Sequence, residues 1–223
     1  MISNFISIIN SSTMTIWEKL LYIILYVFCI LFSLIIHECA HGWVALKCGD
    51  PTAKWMGRIT LDPRKHLDPI GMICMLFLRI GWAKPVPINP NNFRNYKRDY
   101  ILVSIAGIAV NFIVFIISTF FAVIIGKNAK AQWLIYPYEF LFMLGQMNLC
   151  LAIFNLLPVP PLDGFRLLDH IVFKGSLNMS RQLMQYVQIG FLIVCVSGLL
   201  NGMLSRVIGT VYNSVFNLFY SML

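Results

Sequence analysis

Residues 17–46 read WEKLLYIILYVFCILFSLIIHECAHGWVAL. The run is long enough to cross the roughly 30 Å hydrocarbon core of a bilayer, which takes about 20 residues of α-helix. Near its end lies the pattern HECAH, at residues 37–41. A charge at the centre of a membrane helix costs roughly 2.5–3.5 kcal/mol, so ionisable side chains are rarely found there without a function. The stretch therefore predicts a membrane helix that carries a functional site.

The pattern HECAH has the spacing of a zinc-hydrolase signature. On a helix, positions i and i+4 share one face, so His37 and His41 can hold one metal ion while Glu38 lies beside it as a base. The alternative is a pair of core histidines that hydrogen-bond to neighbouring helices. Cys39 lies inside the pattern, but the two histidines already supply the ligand spacing. We therefore interpret Cys39 as a reduced, buried thiol.

The composition differs from that of an ordinary soluble protein. Of the 223 residues, 59% are hydrophobic and 12% are charged, whereas soluble domains carry roughly 25% charged residues. We expect one membrane-embedded domain over 1–223, with a catalytic core at about 17–170 and C-terminal helices at 184–223. The net charge of +8 is spread over loops, which is typical of contact with cytoplasm and anionic lipid and argues against nucleic-acid binding.

Apolar runs mark further membrane helices. Stretches long enough to span lie at 100–125, 132–156 and 184–204. A last run, 206–223, is borderline because polar residues interrupt it. Residues 70–83 would form a helix only about 20 Å long, and the prolines that follow cannot continue it, so we expect a re-entrant segment. The sequence predicts an all-α multi-pass membrane protein with about four to five transmembrane helices and a re-entrant, β-like loop around 50–98.

The re-entrant interpretation sets the topology. If 70–83 enters and leaves on one face, the next two helices return the chain to the face where the first helix ends, here called side A. The cations on side A are Lys47, Lys54, Arg58, Arg64, Lys65, Lys84, Arg94, Lys97, Arg98, Arg166, Lys174 and Arg181. Those on the opposite face, side B, are Lys19, Lys127, Lys130 and Arg206. The positive-inside rule predicts a protein of the cell membrane with its N-terminus outside and its active site opening toward the cytoplasm.

The first apolar run, at 17–46, is too long for a cleaved signal peptide and is expected to act as a signal anchor.

A third metal ligand is expected on side A. Catalytic zinc sites use three protein ligands and an open position, and two histidines with a carboxylate are a common set. The stretch NLLPVPPLDG at 155–164 places Asp163 on side A, and its prolines break the helix so that the carboxylate can turn toward the ion. Asn155 is an amide donor suited to a substrate carbonyl or an oxyanion. The alternatives are a surface or helix-capping role for Asp163 and helix–helix hydrogen bonding for Asn155.

Further motifs lie between HECAH and NLLPVPPLDG. They are GRITLDPRKHLDPIG at 57–71, WAKPVPIN at 82–89 and AGIAVN at 106–111. Together the five motifs resemble the site-2 protease family of intramembrane metalloproteases over roughly residues 35–170, and most closely its short bacterial members without PDZ-like or CBS-like domains. Ile108 and Phe165 depart from the family pattern, where proline and a second glycine are usual; neither departure removes a ligand.

The resemblance implies a zinc-dependent endopeptidase that hydrolyses peptide bonds in transmembrane protein or peptide substrates near the cytoplasmic side. It implies one Zn²⁺ ion held by His37, His41 and Asp163, with Glu38 as the catalytic base. Asn111 matches the asparagine of the family's middle-helix motif and joins Asn155 as a candidate substrate or oxyanion residue. Packing between helices is an equal explanation for Asn111.

Two other classes of function stay open. A catalytically silent family member would bind zinc or membrane segments without cutting them, although an intact Glu38 argues against it. A small transporter also has interrupted helices and buried polar groups, but the sequence has no internal repeat. The expected partners are the lipid bilayer and transmembrane substrates, and the sequence indicates neither the identity of the substrate nor the oligomeric state.

Two regions carry narrower predictions. The stretch MGRITL at 56–61 alternates like a strand, and its edge could pair with an unwound substrate; a lid that shields the site from lipid is an equal alternative. His66 and His170 lie in polar stretches, and we interpret both as surface residues.

Overall fold

The computed structural model describes residues 14–68, 84–128, 131–177 and 179–223. Within them the α-helices are α1 (Ile16–Cys48), α2 (Thr52–Trp55), α3 (Tyr96–Asn128), α4 (Ile135–Asn155), α5 (Asp163–Ile171), α6 (Arg181–Ser197) and α7 (Asn201–Met222). Short 3-10 turns lie at Pro63–Lys65, Pro90–Asn92 and Gln132–Leu134. No strand forms in these ranges. The predicted re-entrant segment 70–83 lies outside the described residues.

Helix α1 has a defined start and end. Its start is a capping box, in which the Thr15 hydroxyl accepts from the Glu18 backbone N–H and the Glu18 carboxylate accepts from the Thr15 N–H. It ends at Gly49, whose positive φ of 110° allows its N–H to donate to the Ala45 and Leu46 carbonyls. The HECAH pattern thus lies in the last three turns of an unbroken helix.

The centre of the fold is α3, which contacts α1, α4, α5 and α7. Three helices, α1, α3 and α4, are long and apolar enough to cross a membrane, and α6 with α7 qualifies as a fourth if that bent pair is one span. Gly145 allows α4 to approach α3 closely, since a Cβ there would lie 3.0 Å from the Ser118 hydroxyl. The prediction of an all-α multi-pass membrane protein is confirmed, with three or four spans in the described residues against the four to five expected.

The C-terminal part differs from the predicted runs 184–204 and 206–223. The chain breaks between α6 and α7, at 198–200, and the two helices meet at a bend of 77°. Gly198 ends α6 with a φ of 77°, a left-handed conformation that favours glycine. The boundary predicted near residue 205 is therefore wrong.

Helix α7 runs alongside α3 toward side B. Tyr212 packs on Phe115 with ring centroids 5.8 Å apart, and the Lys127 ammonium lies 4.3 Å from the Tyr220 ring centroid. Arg206 precedes Tyr220 by roughly 20 Å of helix, so it lies far from the side-B end of α3. The assignment of Arg206 to side B stays a prediction, because α6 and α7 count as a fourth span only if the bent pair crosses as a unit.

The predicted strand at 56–61 is also wrong. After the short helix α2, Gly57 takes a left-handed φ of 61°, and the Arg58 N–H donates to the Ala53 carbonyl. These contacts turn the chain inward and bury Arg58, whose guanidinium donates to the Lys84 and Pro85 carbonyls. The alternating pattern of residues at 56–61 therefore belongs to a folded turn and not to a strand.

Candidate active site

The two histidines of HECAH meet on one face of α1, as predicted. His37 is 5% exposed and His41 is 4% exposed. Their rings cross nearly at right angles, and their Nε2 atoms lie 3.1 Å apart. The i, i+4 spacing on the helix produces this approach.

Asp163 reaches the histidines from the start of α5. Its Oδ2 lies 3.1 Å from the His37 Nε2 and 3.0 Å from the His41 Nε2. The prolines after α4 end that helix, and α5 begins at Asp163 with extended Leu162 as its N-cap residue. Asp163 is therefore the first residue of α5, and its side chain does not cap the helix. The carboxylate also benefits from the positive end of the helix dipole.

Gly164 makes this placement possible. A Cβ at Gly164 would overlap the backbone carbonyls of Leu156 and Leu157. The absence of a side chain allows the first turn of α5 to lie directly against the end of α4. The Asp-Gly pair thus joins a candidate ligand to the one residue type that fits beside it.

The outer ring nitrogens are held by α3. The Nδ1 of His41 donates to the Val103 carbonyl at 2.7 Å, and the Nδ1 of His37 donates to the Asn111 Oδ1 at 3.3 Å. A carbonyl only accepts, so the hydrogen of each neutral imidazole lies on Nδ1. Both Nε2 lone pairs therefore point at the Asp163 carboxylate.

This set of donors fits a divalent cation. The Asp163 Oδ2 is buried and receives no hydrogen bond within the described residues, although a buried carboxylate oxygen without a donor is costly. Burial acts to raise the pKa of the Asp163 carboxyl, and protons on the two Nε2 atoms lower it below its usual range; a bound cation would take the place of those protons. Tetrahedral zinc with ligands at 2.0–2.2 Å spaces them roughly 3.3 Å apart. The three observed separations are within a few tenths of an ångström of that value.

Glu38 lies beside the donors and contacts the segment 84–89. Its Oε2 accepts from the Val86 N–H at 2.8 Å, and its Oε1 receives no hydrogen bond in the part of the chain that the structure describes. Proline at 85 and 87 holds the segment extended next to α1. One carboxylate oxygen is thus fixed by a backbone amide, while the other is available for proton transfer.

A cavity of about 560 Å³ opens onto these groups. Its walls come from α1, the segment 85–93, α3, the end of α4 and the start of α5. His37, Glu38, His41 and Asp163 all line it. The cavity thus brings together three donor atoms that could hold a cation, a carboxylate beside them and room for a peptide backbone.

The sequence is similar to known zinc metalloproteases. Residues 123–197 match the sequence model of a protein family described as "Peptidase family M50". YwhC of Bacillus subtilis (strain 168), whose name describes a zinc metalloprotease, is 40% identical over 190 residues, which are 84% of this chain and 87% of YwhC. The chain belongs to peptidase family M50.

Other relatives agree with membership of family M50. Rip2 of Mycolicibacterium smegmatis is 30% identical over 176 residues, which are 74% of this chain and 63% of Rip2. The zinc metalloprotease MJ0392 of Methanocaldococcus jannaschii is 31% identical over 173 residues, or 76% of this chain and 38% of the relative. No solved structure matches the chain. The predicted resemblance to the site-2 proteases is confirmed, and this M50 member is a zinc-dependent metallopeptidase.

The two candidate asparagines, Asn155 and Asn111, lie in different positions relative to the cavity of this M50 member. Asn155 lines it, and its Nδ2 donates to the Leu151 carbonyl one turn earlier on α4. Asn111 is fully buried and contacts the His37 ring from behind, away from the cavity. The geometry therefore suits Asn155 to a substrate contact and Asn111 to holding a histidine in place.

Two histidines differ from expectation, and one cavity residue, Arg166, was not identified from the sequence. His66 is 1% exposed and donates to the Thr60 carbonyl, and His170 is 5% exposed and stacks on Tyr100 at 3.8 Å; the prediction that both are surface residues is wrong. Cys39 donates to the same Thr60 carbonyl and does not join the metal-binding group. Helical spacing from Asp163 could have identified a further cavity residue, Arg166, which lies three positions later on α5.

Proposed function

We propose that the chain is an intramembrane zinc endopeptidase in which His37, His41 and Asp163 hold the ion and Glu38 is the general base. The observation that carries this proposal is the convergence of three buried donor atoms, none more than 3.1 Å from the next, beside a carboxylate in one cavity. Two histidines and a carboxylate leave a fourth position open, as catalytic zinc sites require.

Different groups of the protein have different roles in the proposed hydrolysis. Zinc, when bound, polarises a carbonyl oxygen and acidifies water. Glu38 takes a proton from the attacking water through its Oε1 and later delivers it to the leaving amine nitrogen. The Val86 N–H holds the other carboxylate oxygen, so the base keeps its direction between the two transfers. We assign Asn155, which lines the cavity, to hold a substrate carbonyl.

A transmembrane segment is the proposed substrate. The cavity lies between α1, α3 and α4, the three helices that are apolar and long enough to span a membrane. It lies near the ends of α1 and α4 and the start of α3, which is side A. The concentration of Lys and Arg on this side supports an orientation toward the cytoplasm. A substrate helix would have to unwind there, because its own hydrogen bonds otherwise hide the peptide bond.

Purified wild-type protein and Glu38→Gln test the proposal with a pool of synthetic transmembrane peptides in detergent micelles, read by mass spectrometry. We expect equal zinc in the two proteins and cleavage that is roughly 10²–10⁴-fold slower in Glu38→Gln, the range for a lost general base. Glu18→Gln is the matched control, since glutamine preserves the capping box at the other end of α1.

Two results would count against the proposal. If the zinc-loaded wild type cleaves no peptide, the chain is a silent member that binds without cutting. If Glu38→Gln cleaves as fast as the wild type, the base is another group. His41→Ala separates binding from catalysis, because loss of a ligand should remove the metal itself.

A further inference from the structure

Arg166 lies in the same cavity as the proposed ligands and is the one permanent cation among the described residues that line it. It follows Asp163 by three residues on α5, so both side chains share a face of the helix. The Arg166 Nη1 lies 3.7 Å from the Asp163 Oδ1, while the Asp163 Oδ2 faces the two histidines. The Asp163 carboxylate therefore lies between the guanidinium and the two histidine Nε2 atoms.

The guanidinium keeps most of its donors free. An arginine side chain has five N–H donors, and within the described residues the Asp163 contact is the one ion pair that Arg166 makes. At 3.7 Å that contact is longer than a hydrogen bond. The side chain is 45% exposed, which places its head at the cavity surface, where a substrate can reach it.

We infer that Arg166 is a catalytic residue that donates hydrogen bonds to the scissile carbonyl oxygen as that oxygen becomes negative. The inference rests on the proposed function. When the water oxygen bonds to the carbonyl carbon, the π pair of the C=O bond moves to the oxygen and the water proton moves to Glu38. When the C–N bond breaks, the C=O bond re-forms and the amine nitrogen takes that proton. Arg166 stabilises the charge that exists between these two events.

The position favours this role over two others. Fixing Asp163 alone would require a short bidentate pair, which is the strong arginine–carboxylate geometry, and the observed contact is a single longer one. Anchoring a charged substrate side chain would place the guanidinium away from the donor atoms. The Arg166 Nη1 lies 3.7 Å from one oxygen of the carboxylate whose other oxygen contacts both histidines.

The experiment uses the full-length protein and a peptide that the wild type has been shown to cleave from the pool described above. Arg166→Gln, Arg166→Lys and the wild type are compared for zinc content, helix content, kcat and KM. Peptide affinity is measured separately in the Glu38→Gln background, with and without Arg166→Gln. Arg94→Gln is the control, because Arg94 is an exposed arginine at the same end of the bundle and does not line the cavity.

We expect Arg166→Gln to keep its zinc and its peptide affinity while kcat falls about 10²-fold, the usual loss for one oxyanion donor. Arg166→Lys should recover part of kcat, and Arg94→Gln should match the wild type. Loss of zinc in both Arg166 variants would show that Arg166 only positions Asp163. A raised KM with unchanged kcat would show a substrate anchor. Either result overturns the inference, and so does an unchanged kcat; a wild type that cleaves nothing refutes the proposed function instead.

Discussion

At the scale of single residues, the geometry of the site depends on a residue without a side chain. Gly107 on α3 faces the His37 ring, and a Cβ there would lie 2.5–2.6 Å from three of its atoms. One turn further along α3, the Asn111 Oδ1 accepts from the Nδ1 of the same ring. The glycine provides the space for the imidazole and the asparagine sets its rotation, so the two fix the direction of the His37 Nε2.

Gly107→Ala should therefore weaken zinc binding without removing a ligand. The ring has to move by several tenths of an ångström, and overpacking of this kind costs about 1–3 kcal/mol. If that cost falls on the bound geometry, zinc affinity drops roughly 5- to 150-fold. Competition with a chromophoric chelator measures the change.

The control for this substitution is Gly190→Ala in α6, where a Cβ would meet nothing within 4 Å. It should leave zinc affinity unchanged, and replacing an unstrained helical glycine stabilises by roughly 0.5–1 kcal/mol. Equal zinc affinity in Gly107→Ala and Gly190→Ala would contradict the packing argument.

At the scale of elements, the extended segment 84–89 is held at its side of the cavity by three side chains. Arg58 donates to the Lys84 carbonyl at 2.7 Å, the Glu38 carboxylate accepts from the Val86 N–H, and the Asp50 carboxylate accepts from the Asn89 N–H at 2.7 Å. Two of the three belong to α1 or directly follow it. The end of α1 thus orients both the proposed metal ligands and the segment that contacts Glu38.

Asp50→Asn should loosen this segment and remove a pH-dependent part of stability. Asp50 is fully buried, and burial raises the pKa of its carboxyl, but hydrogen bonds from Thr52, Asn92 and Asn89 outweigh that effect and lower the pKa. A depressed carboxyl pKa stabilises the fold above the unfolded value of about 3.9, and this stability is lost as pH falls through the folded pKa.

The measurement is the thermal midpoint in detergent between about pH 3 and pH 7, the window that brackets the unfolded carboxyl pKa. Asp50→Asn should be destabilised near neutral pH by roughly 1.5–3 kcal/mol, the range for a hydrogen bond to a charged group, and should approach the wild type as pH falls. Asp62→Asn is the control, because its carboxylate pairs with exposed Arg64 and exposed pairs contribute little. A constant gap between Asp50→Asn and the wild type at every pH would refute the linkage.

At the scale of the whole molecule, the membrane-spanning helices and the approach of Asp163 to HECAH were predictable, because long apolar runs and helix-breaking prolines act locally. The bend at Gly198 was not, since a single glycine within an apolar helical run is often tolerated. The inward turn of Arg58 and the contact between Glu38 and Val86 depend on partners 26 and 48 residues away. No local pattern in the sequence reports such a pairing.

The course of α6 and α7 gives an expected side for residue 223, if the bent pair crosses the membrane as one span. Two crossings after side A would return residue 223 to the cytoplasm, whereas the Lys127–Tyr220 contact puts the end of α7 with the end of α3 on side B. The start of α1 lies on the same side, near Glu139 at the start of α4, through Tyr22. With side A in the cytoplasm, both chain ends should therefore face outward.

Reporter fusions after Leu223 of the full chain test this topology. Alkaline phosphatase, which is active only outside the cytoplasm, should be active at this position, and green fluorescent protein should not fluoresce there. Inserting one additional transmembrane helix between Leu223 and each reporter should reverse both signals, which controls for expression. A fluorescent direct fusion with an inactive phosphatase would mean that α6 and α7 cross separately or that side A faces outward. Reading the same reporters at the N-terminus separates these two cases, because only an inverted protein moves both ends to the cytoplasm.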